Sequence, residues 1–255
     1  MNKTVFLFAT HKLTDFVLEQ YYRLKLATKN IGVLYLLIED GELQQIPVDV
    51  KYYSFSVDTL NYEPIEESII PGSNHFPVLQ FYKEHPEFLY YWNIEYDVYF
   101  NGKWESFFDP FEMIISDFIS SHIEWYTQRP KWDWWKSVQF KTLSIPQNRY
   151  LKSFNPIYRI SNRALKALDG VLSLRNSGHH EVVIPTVLDY LGYTINDFGG
   201  NSEFTLCELN IPCYLSNSEL NNWYTESTMR YRPVFNKEAI TRKGIDNMLY
   251  HPIKF

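Results

Sequence analysis

Strand, helix and strand follow one another within the first forty residues, and that order leaves few folds open to the chain. Val5 to Thr10 is a short continuous apolar run, as expected of a strand covered on both faces. His11-Lys12-Leu13 make a turn. Thr14 or Asp15 can then cap a helix over Phe16 to Thr28, in which Val17, Tyr21, Leu24 and Thr28 recur at intervals of three and four. Ile31 to Ile38 is a second strand, stopped by Glu39-Asp40-Gly41. A crossover helix between two such strands is the unit of a parallel sheet. The predicted class is therefore α/β, with a mostly parallel central sheet flanked by helices.

The middle of the chain continues less cleanly. Tyr52 to Val57 reads as a third strand, Phe76 to Glu84 as a helix, and Phe88 to Asn93 as a strand that runs out into Ile94-Glu95-Tyr96-Asp97. From residue 101 onward the chain reads as irregular and aromatic, through Trp104, Phe107, Phe108, Trp125, Trp132, Trp134 and Trp135. Two helical units interrupt it, one from Ser161, which can cap, to Leu168, and one from about Glu181 to Leu191. No linker, repeat or low-complexity tract divides the 255 residues, so a single domain is expected.

Composition narrows the function classes. A formal charge of −6 argues against general affinity for a polyphosphate backbone, so no nucleic-acid partner is expected. Cys207 and Cys213, the only cysteines, match neither a zinc ribbon nor a redox pair and read as buried free thiols. No run reaches the roughly 20 apolar residues of a membrane-spanning helix. Neither a signal-peptide pattern nor a lipid-anchor motif is present, which points to a cytoplasmic protein. The aromatic load, 20 Tyr, 18 Phe and 7 Trp, leaves room for peripheral membrane contact.

Several familiar sites are absent from the sequence. There is no Gly-x-Gly-x-x-Gly, no Gly-x-x-x-x-Gly-Lys and no Gly-x-Ser-x-Gly. His180-Glu181 begins like a zinc-protease helix, but Ile184 stands where the second histidine is needed. Three polar clusters remain. Glu95-Tyr96-Asp97 closes an apolar strand; carboxylates two apart project to one side of an extended segment and can serve a hard divalent cation, although such tripeptides also end ordinary strands. Gly178-His179-His180-Glu181 forms a flexible loop that feeds a carboxylate against an apolar helix, a suitable setting for a general base and equally an ordinary first turn. Arg230, Arg232 and His251 bring cationic and imidazole groups to an acidic chain, where they can clamp a phosphate and complete a metal shell, or simply be solvated.

In this order the clusters resemble a glycosyltransferase of the GT-A type. The densest part is Trp92-Asn93-Ile94-Glu95-Tyr96-Asp97-Val98, continuing to Gly102 and Trp104, which is similar to the acidic-motif stretch of a little-studied group of glycosyltransferase-like proteins. Gly178-His179-His180-Glu181 with Pro185-Thr186 resembles the Glu-bearing acceptor loop of such proteins. The resemblance implies a nucleotide-binding half over 1–100 and an acceptor-binding half over 101–255. It implies that Thr10, His11 and Asp40 face the base and ribose of a nucleotide-sugar donor. Asp97 and His251 would hold a divalent metal, Mn or Mg, with Glu95 on the sugar or on metal-bound water. Arg230 or Arg232 would hold the diphosphate, and Glu181 would be the base of an inverting transfer to a carbohydrate or glycolipid acceptor, in surface or extracellular polysaccharide synthesis. Glu95 departs from the usual first Asp of the motif. Two alternatives accompany this reading: a carbohydrate- or nucleotide-binding protein of the same fold without turnover, and a metal-dependent phosphoryl or nucleotidyl enzyme.

Overall fold

The computed structural model describes residues 4–56, 62, 72–200, 202–206, 212–216 and 225–254. Its N-terminal part comprises β1 (Thr4–Thr10), α1 (Asp15–Thr28), β2 (Gly32–Glu39), β3 (Tyr52–Phe55), α2 (Phe76–Glu84), β4 (Tyr90–Glu95), β5 (Tyr99–Phe100) and α3 (Trp104–Phe108). Then follow β6 (Phe118–Trp125), β7 (Leu151–Ser161), α4 (Asn162–Leu172), α5 (His180–Tyr190), β8 (Ile195–Asp197), β9 (Phe235–Asn236), α6 (Lys237–Lys243), β10 (Leu249–Tyr250) and β11 (Ile253–Lys254).

Seven strands form one sheet in the order β3-β2-β1-β4-β7-β6-β8. Only β7 runs against its neighbours, so the sheet is mostly parallel, as expected. Alternation along each strand sends side chains to opposite faces. Val5 and Leu7 pack with residues of α2, α4 and α5, such as Val78, Leu165 and Val183. Phe6 and Phe8 pack on the other side with Val17, Tyr21 and Leu24 of α1 and with Trp104, Phe107 and Phe108 of α3. Helices therefore cover both faces of the sheet.

The helix caps are those the sequence suggests. The Thr14 side chain accepts from the Val17 amide at 3.2 Å, and the Ser161 side chain accepts from the Ala164 amide at 3.2 Å. Ser161 also donates to the buried Asp117 carboxylate at 2.7 Å. Ser161→Ala is expected to lower stability by about 1–2 kcal/mol, read from the midpoint of urea unfolding at unchanged slope.

Three expectations need adjustment. β4 begins at Tyr90 rather than Phe88, because the Pro86 and Phe88 carbonyls are held in a turn by the Asn162 amide, at 2.8 and 2.9 Å. The third strand ends at Phe55, and the predicted end at Val57 lies outside the described residues. The part beyond residue 101 is more regular than expected, since β6, β7 and β8 supply three of the seven strands of the sheet. Cys213 is a half-buried free thiol, while Cys207 lies outside the described residues. Among the described residues no helix is long and apolar enough to cross a membrane.

Candidate functional site

A cavity of about 690 Å³ opens where β1, β2, β3 and β4 end. Ligands in open α/β sheets generally lie at the carboxyl ends of the strands. Thr10, Glu39, Phe55 and Glu95, the last residues of those four strands, all line it. On the far side β7 runs antiparallel to β4; beyond the pair Ile94 and Ile157, Pro156 and Asn155 enter the wall. The N-terminal end of α5 and the segment around Trp132–Trp134 complete it.

At its centre, ligand atoms of Glu95, Asp97 and His251 all lie within 4.8 Å of one another. Glu95 closes β4, and the chain turns at once: the Tyr96 amide donates to Ala9 O at 2.9 Å and the Val98 amide to Glu95 O at 3.0 Å. It is this turn, rather than strand pleating, that swings Asp97 back beside Glu95. His251 arrives from far along the chain. β10 pairs with β5, joining Leu249 to Phe100 and Tyr250 to Tyr99, and the Ile253 amide donates to Asp97 O at 3.0 Å. Its own amide donates to Thr228 O at 2.9 Å.

The imidazole is oriented by its second nitrogen. His251 Nδ1 lies 2.9 Å from Arg230 O, so it carries the proton, and Nε2 is left 3.5 Å from Asp97 Oδ1 and 3.9 Å from Glu95 Oε2. Both separations exceed the roughly 3.2 Å limit of a good hydrogen bond. Asp97 Oδ1 is buried without a hydrogen-bond partner among the described residues. Burial pushes the Glu95 carboxyl up to about 7, reinforced by Asp97 and opposed by His251 and by the amide of Asn74, which donates to Oε1 at 2.8 Å. Burial alone would depress His251, but Asp97, Glu95 and the Arg230 carbonyl outweigh it and raise its pKa. Two carboxylates, an imidazole lone pair fixed by a carbonyl behind it, and an orphaned carboxylate oxygen together suit a hard divalent cation.

Glu181 stands in the first turn of α5, on the cavity wall. Burial pushes its carboxyl up to about 7, against the pull of the buried Lys152 ammonium and the Asn155 amide; Glu95 and His251 also act on it. Oε1 accepts from that amide at 3.2 Å. The loop before it is tied down rather than free: the His179 amide donates to Ser137 Oγ at 2.9 Å and the His180 amide to Gly72 O at 2.8 Å. Gly178 has φ +152°, and a Cβ there would lie 2.8 Å from Val183 Cγ2 and 3.1 Å from Val138 Cα, so only glycine fits this turn.

No protein-family model matches the chain, and no curated protein matches it. Among solved structures, a glycosyltransferase involved in glycosylation of the major capsid of PBCV-1 aligns over 78% of this chain and 84% of its own, at 14% identity and a TM-score of 0.40. A Bacillus anthracis protein described as a glucose-1-phosphate thymidylyltransferase, in complex with sucrose, aligns over 78% and 87%, at 10% identity and a TM-score of 0.45. At this level of likeness the site has to be read from its own residues.

Six further residues named from the sequence can be placed. His11 lines the cavity and its ring meets Tyr96 edge-on at 5.2 Å. Thr10 lines it too, but its hydroxyl donates to Lys12 O at 2.7 Å and so serves the turn. Arg232 lines it and is exposed. Glu95 has been described above. Asp40 is not among the lining residues: β2 ends at Glu39, which is, and Asp40 opens a 3-10 turn over Asp40–Gln45. Arg230 is not among them either. Its guanidinium donates to Pro233 O at 2.7 Å and to Thr225 O at 2.5 Å and lies 3.6 Å over the Phe235 ring, so it clasps its own loop.

Sequence reasoning missed Asn74, Asn93 and Asn155, all on the cavity wall. It also missed Lys152, which is buried and raises no apolar pattern around itself. Asn74, which steadies Glu95, lies two residues before α2 and carries no motif.

Proposed function

We propose that this chain is a GT-A-type glycosyltransferase that moves a sugar from a nucleotide-sugar donor to a hydroxyl of a carbohydrate or glycolipid acceptor, with inversion. The observation that carries the reading is the convergence of Glu95, Asp97 and His251 around an unpartnered carboxylate oxygen in a strand-end cavity.

Asp97 and His251 would hold the divalent ion, Mn or Mg, with Glu95 beside them. Such an ion, when bound, neutralises charge on a departing diphosphate. Arg232, on the same wall, adds positive charge for the phosphates. His11 and Thr10, at the end of β1, adjoin the nucleotide. Transfer joins the acceptor oxygen to the anomeric carbon as the bond from that carbon to the diphosphate oxygen breaks. Glu181 takes the proton of the acceptor hydroxyl, and a carboxyl poised near 7 is matched to that task. The strand ends of 1–100 supply the donor side, and 101–255 supplies Glu181 and the acceptor side.

The test is thermal unfolding with UDP, GDP and CMP, each with Mn²⁺ and with EDTA. A matching nucleotide at a hundredfold excess over Kd is expected to add about 2.7 kcal/mol, and only with the metal present. Equal stabilisation in EDTA, or none from any nucleotide, would overturn the reading. Nucleotide-dependent hydrolysis without any sugar requirement would instead favour phosphoryl or nucleotidyl chemistry.

A further inference from the structure

The wall beside Glu181 has a composition of its own. Of the three neighbouring tryptophans, Trp132 and Trp135 are buried and Trp134 is half-buried on the cavity. Trp135 anchors the segment: its indole donates to Arg129 O at 2.7 Å and its ring meets Trp132 edge-on at 5.1 Å. Ser137 Oγ donates to Trp134 O at 2.6 Å while accepting from the His179 amide, locking the segment to the start of α5. Trp134 thereby lies over the His179 ring at 4.4 Å and 26°. His179 in turn has Nδ1 accepting from the Glu181 amide at 3.3 Å and lying 3.8 Å from its carboxylate.

Burial holds His179 well below the usual imidazole range, so the ring is neutral, and with Nδ1 accepting, its proton sits on Nε2. Asp133, between the two cavity tryptophans, is exposed, lines the cavity and has no hydrogen-bond or ion-pair partner among the described residues. Among the described lining residues Arg232 is the one lysine or arginine, and it belongs to the segment next to His251. The Glu181 side of the cavity thus offers a flat apolar ring, a neutral N–H donor and two carboxylates, with no lysine or arginine among its described lining residues; the Lys152 ammonium that acts on Glu181 and His179 is buried and is not among them.

Resting on the glycosyl-transfer reading, we infer that Trp134, His179 and Asp133 form the acceptor subsite, and that the acceptor is an uncharged pyranose rather than a phosphate- or carboxylate-bearing group. The C–H face of a pyranose covers an indole face, while its ring of hydroxyls needs both acceptors and donors. The Asp133 carboxylate supplies an acceptor and the imidazole N–H a donor, and the hydroxyl that reacts falls to Glu181. A phosphate at this place would meet two carboxylates with no lysine or arginine beside them among the described lining residues, which is costly.

The experiment is saturation-transfer NMR and titration of the apo protein in EDTA, without nucleotide. The probes are the methyl β-pyranosides of glucose, galactose and N-acetylglucosamine, with glucuronic acid and glucose 6-phosphate as charged arms. At least one neutral pyranoside is expected to bind, with saturation strongest on ring C–H protons. Trp134→Ala is expected to weaken it about tenfold, Asp133→Asn about threefold, and the charged arms to bind about tenfold more weakly than the neutral sugar. Should Trp134→Ala not fold by circular dichroism, Trp134→Leu decides: a similar loss supports the subsite, and wild-type affinity overturns it. No binding of any neutral pyranoside, an unchanged affinity in Trp134→Ala, or equal affinity for the charged arms also overturns it. Metal-dependent nucleotide binding is measured separately. If it fails while pyranosides bind through Trp134, the donor reading falls and the saccharide site stands; if it holds while pyranosides do not bind, only the subsite falls.

Discussion

Asp97→Asn is expected to abolish the metal-dependent stabilisation by nucleotide and to lower transfer by roughly 10³-fold, the scale of losing one charge-stabilising group at a reacting centre. The substitution keeps the side-chain volume and removes the charge from an oxygen that has no hydrogen-bond partner among the described residues. It also takes away the nearest carboxylate to Glu95 and the main attraction that raises His251. The expected pattern is therefore specific. Melting in EDTA stays close to that of the parent, while the increment from nucleotide plus Mn²⁺ disappears and calorimetric titration with Mn²⁺ loses its heat. A variant that still responded to nucleotide and Mn²⁺ like the parent would remove Asp97 from the site.

Glu181→Gln is expected to lower turnover by about 10²–10⁴-fold while leaving the metal-dependent nucleotide response in place. In the proposed transfer the carboxylate serves as base only when ionised, and burial pushes its pKa up to about 7. In the parent protein the transfer rate is accordingly expected to fall about tenfold per pH unit below neutrality and to level off above it. The glutamine variant, with no group to titrate at that position, is expected to lose this limb when both are compared at saturating Mn²⁺, where a bound cation would keep the Glu95 carboxyl, also near 7, ionised. Residual activity that kept the parent's pH profile would assign the base elsewhere. The nucleotide response thus disappears in Asp97→Asn and persists in Glu181→Gln, while turnover falls in both.

Both predictions concern residues singled out in the sequence, and several elements of the fold are legible there too, β4 and α5 beside them included. β1, α1 and β2 advertise themselves by unbroken apolar runs and a Thr14 cap, and α4 by Ser161. β6 and β7 do not. β7 is buried along all eleven residues, yet it contains Lys152, Ser153, Asn155 and Arg159, which break any apolar run. Lys152, Asn155 and Arg159 are tolerated because distant backbone answers them: Lys152 donates to His122 O, Asn155 to His180 O, and Arg159 to Phe111 O and Ile114 O. No local pattern encodes partners so far away. The same reason separates the two arginines. Arg230 and Arg232 are alike in sequence, and only tertiary structure closes Phe235 and two carbonyls around the first while leaving the second on the cavity. Glu39 and Asp40 are adjacent acids, and the end of β2 decides between them.

The pairing of β10 with β5 has a thermodynamic corollary. It makes the cluster a joint between two stretches remote along the polypeptide, with Asp97 on one and His251 on the other. Whatever occupies that joint grips only the docked arrangement, so undocking of segment 249–254 and release of the occupant are linked equilibria. Reciprocity requires each to strengthen the other by the same factor. The cluster would then act as a clasp as well as a centre of charge, and hydrogen exchange at the Leu249 and His251 amides would slow in proportion to occupancy.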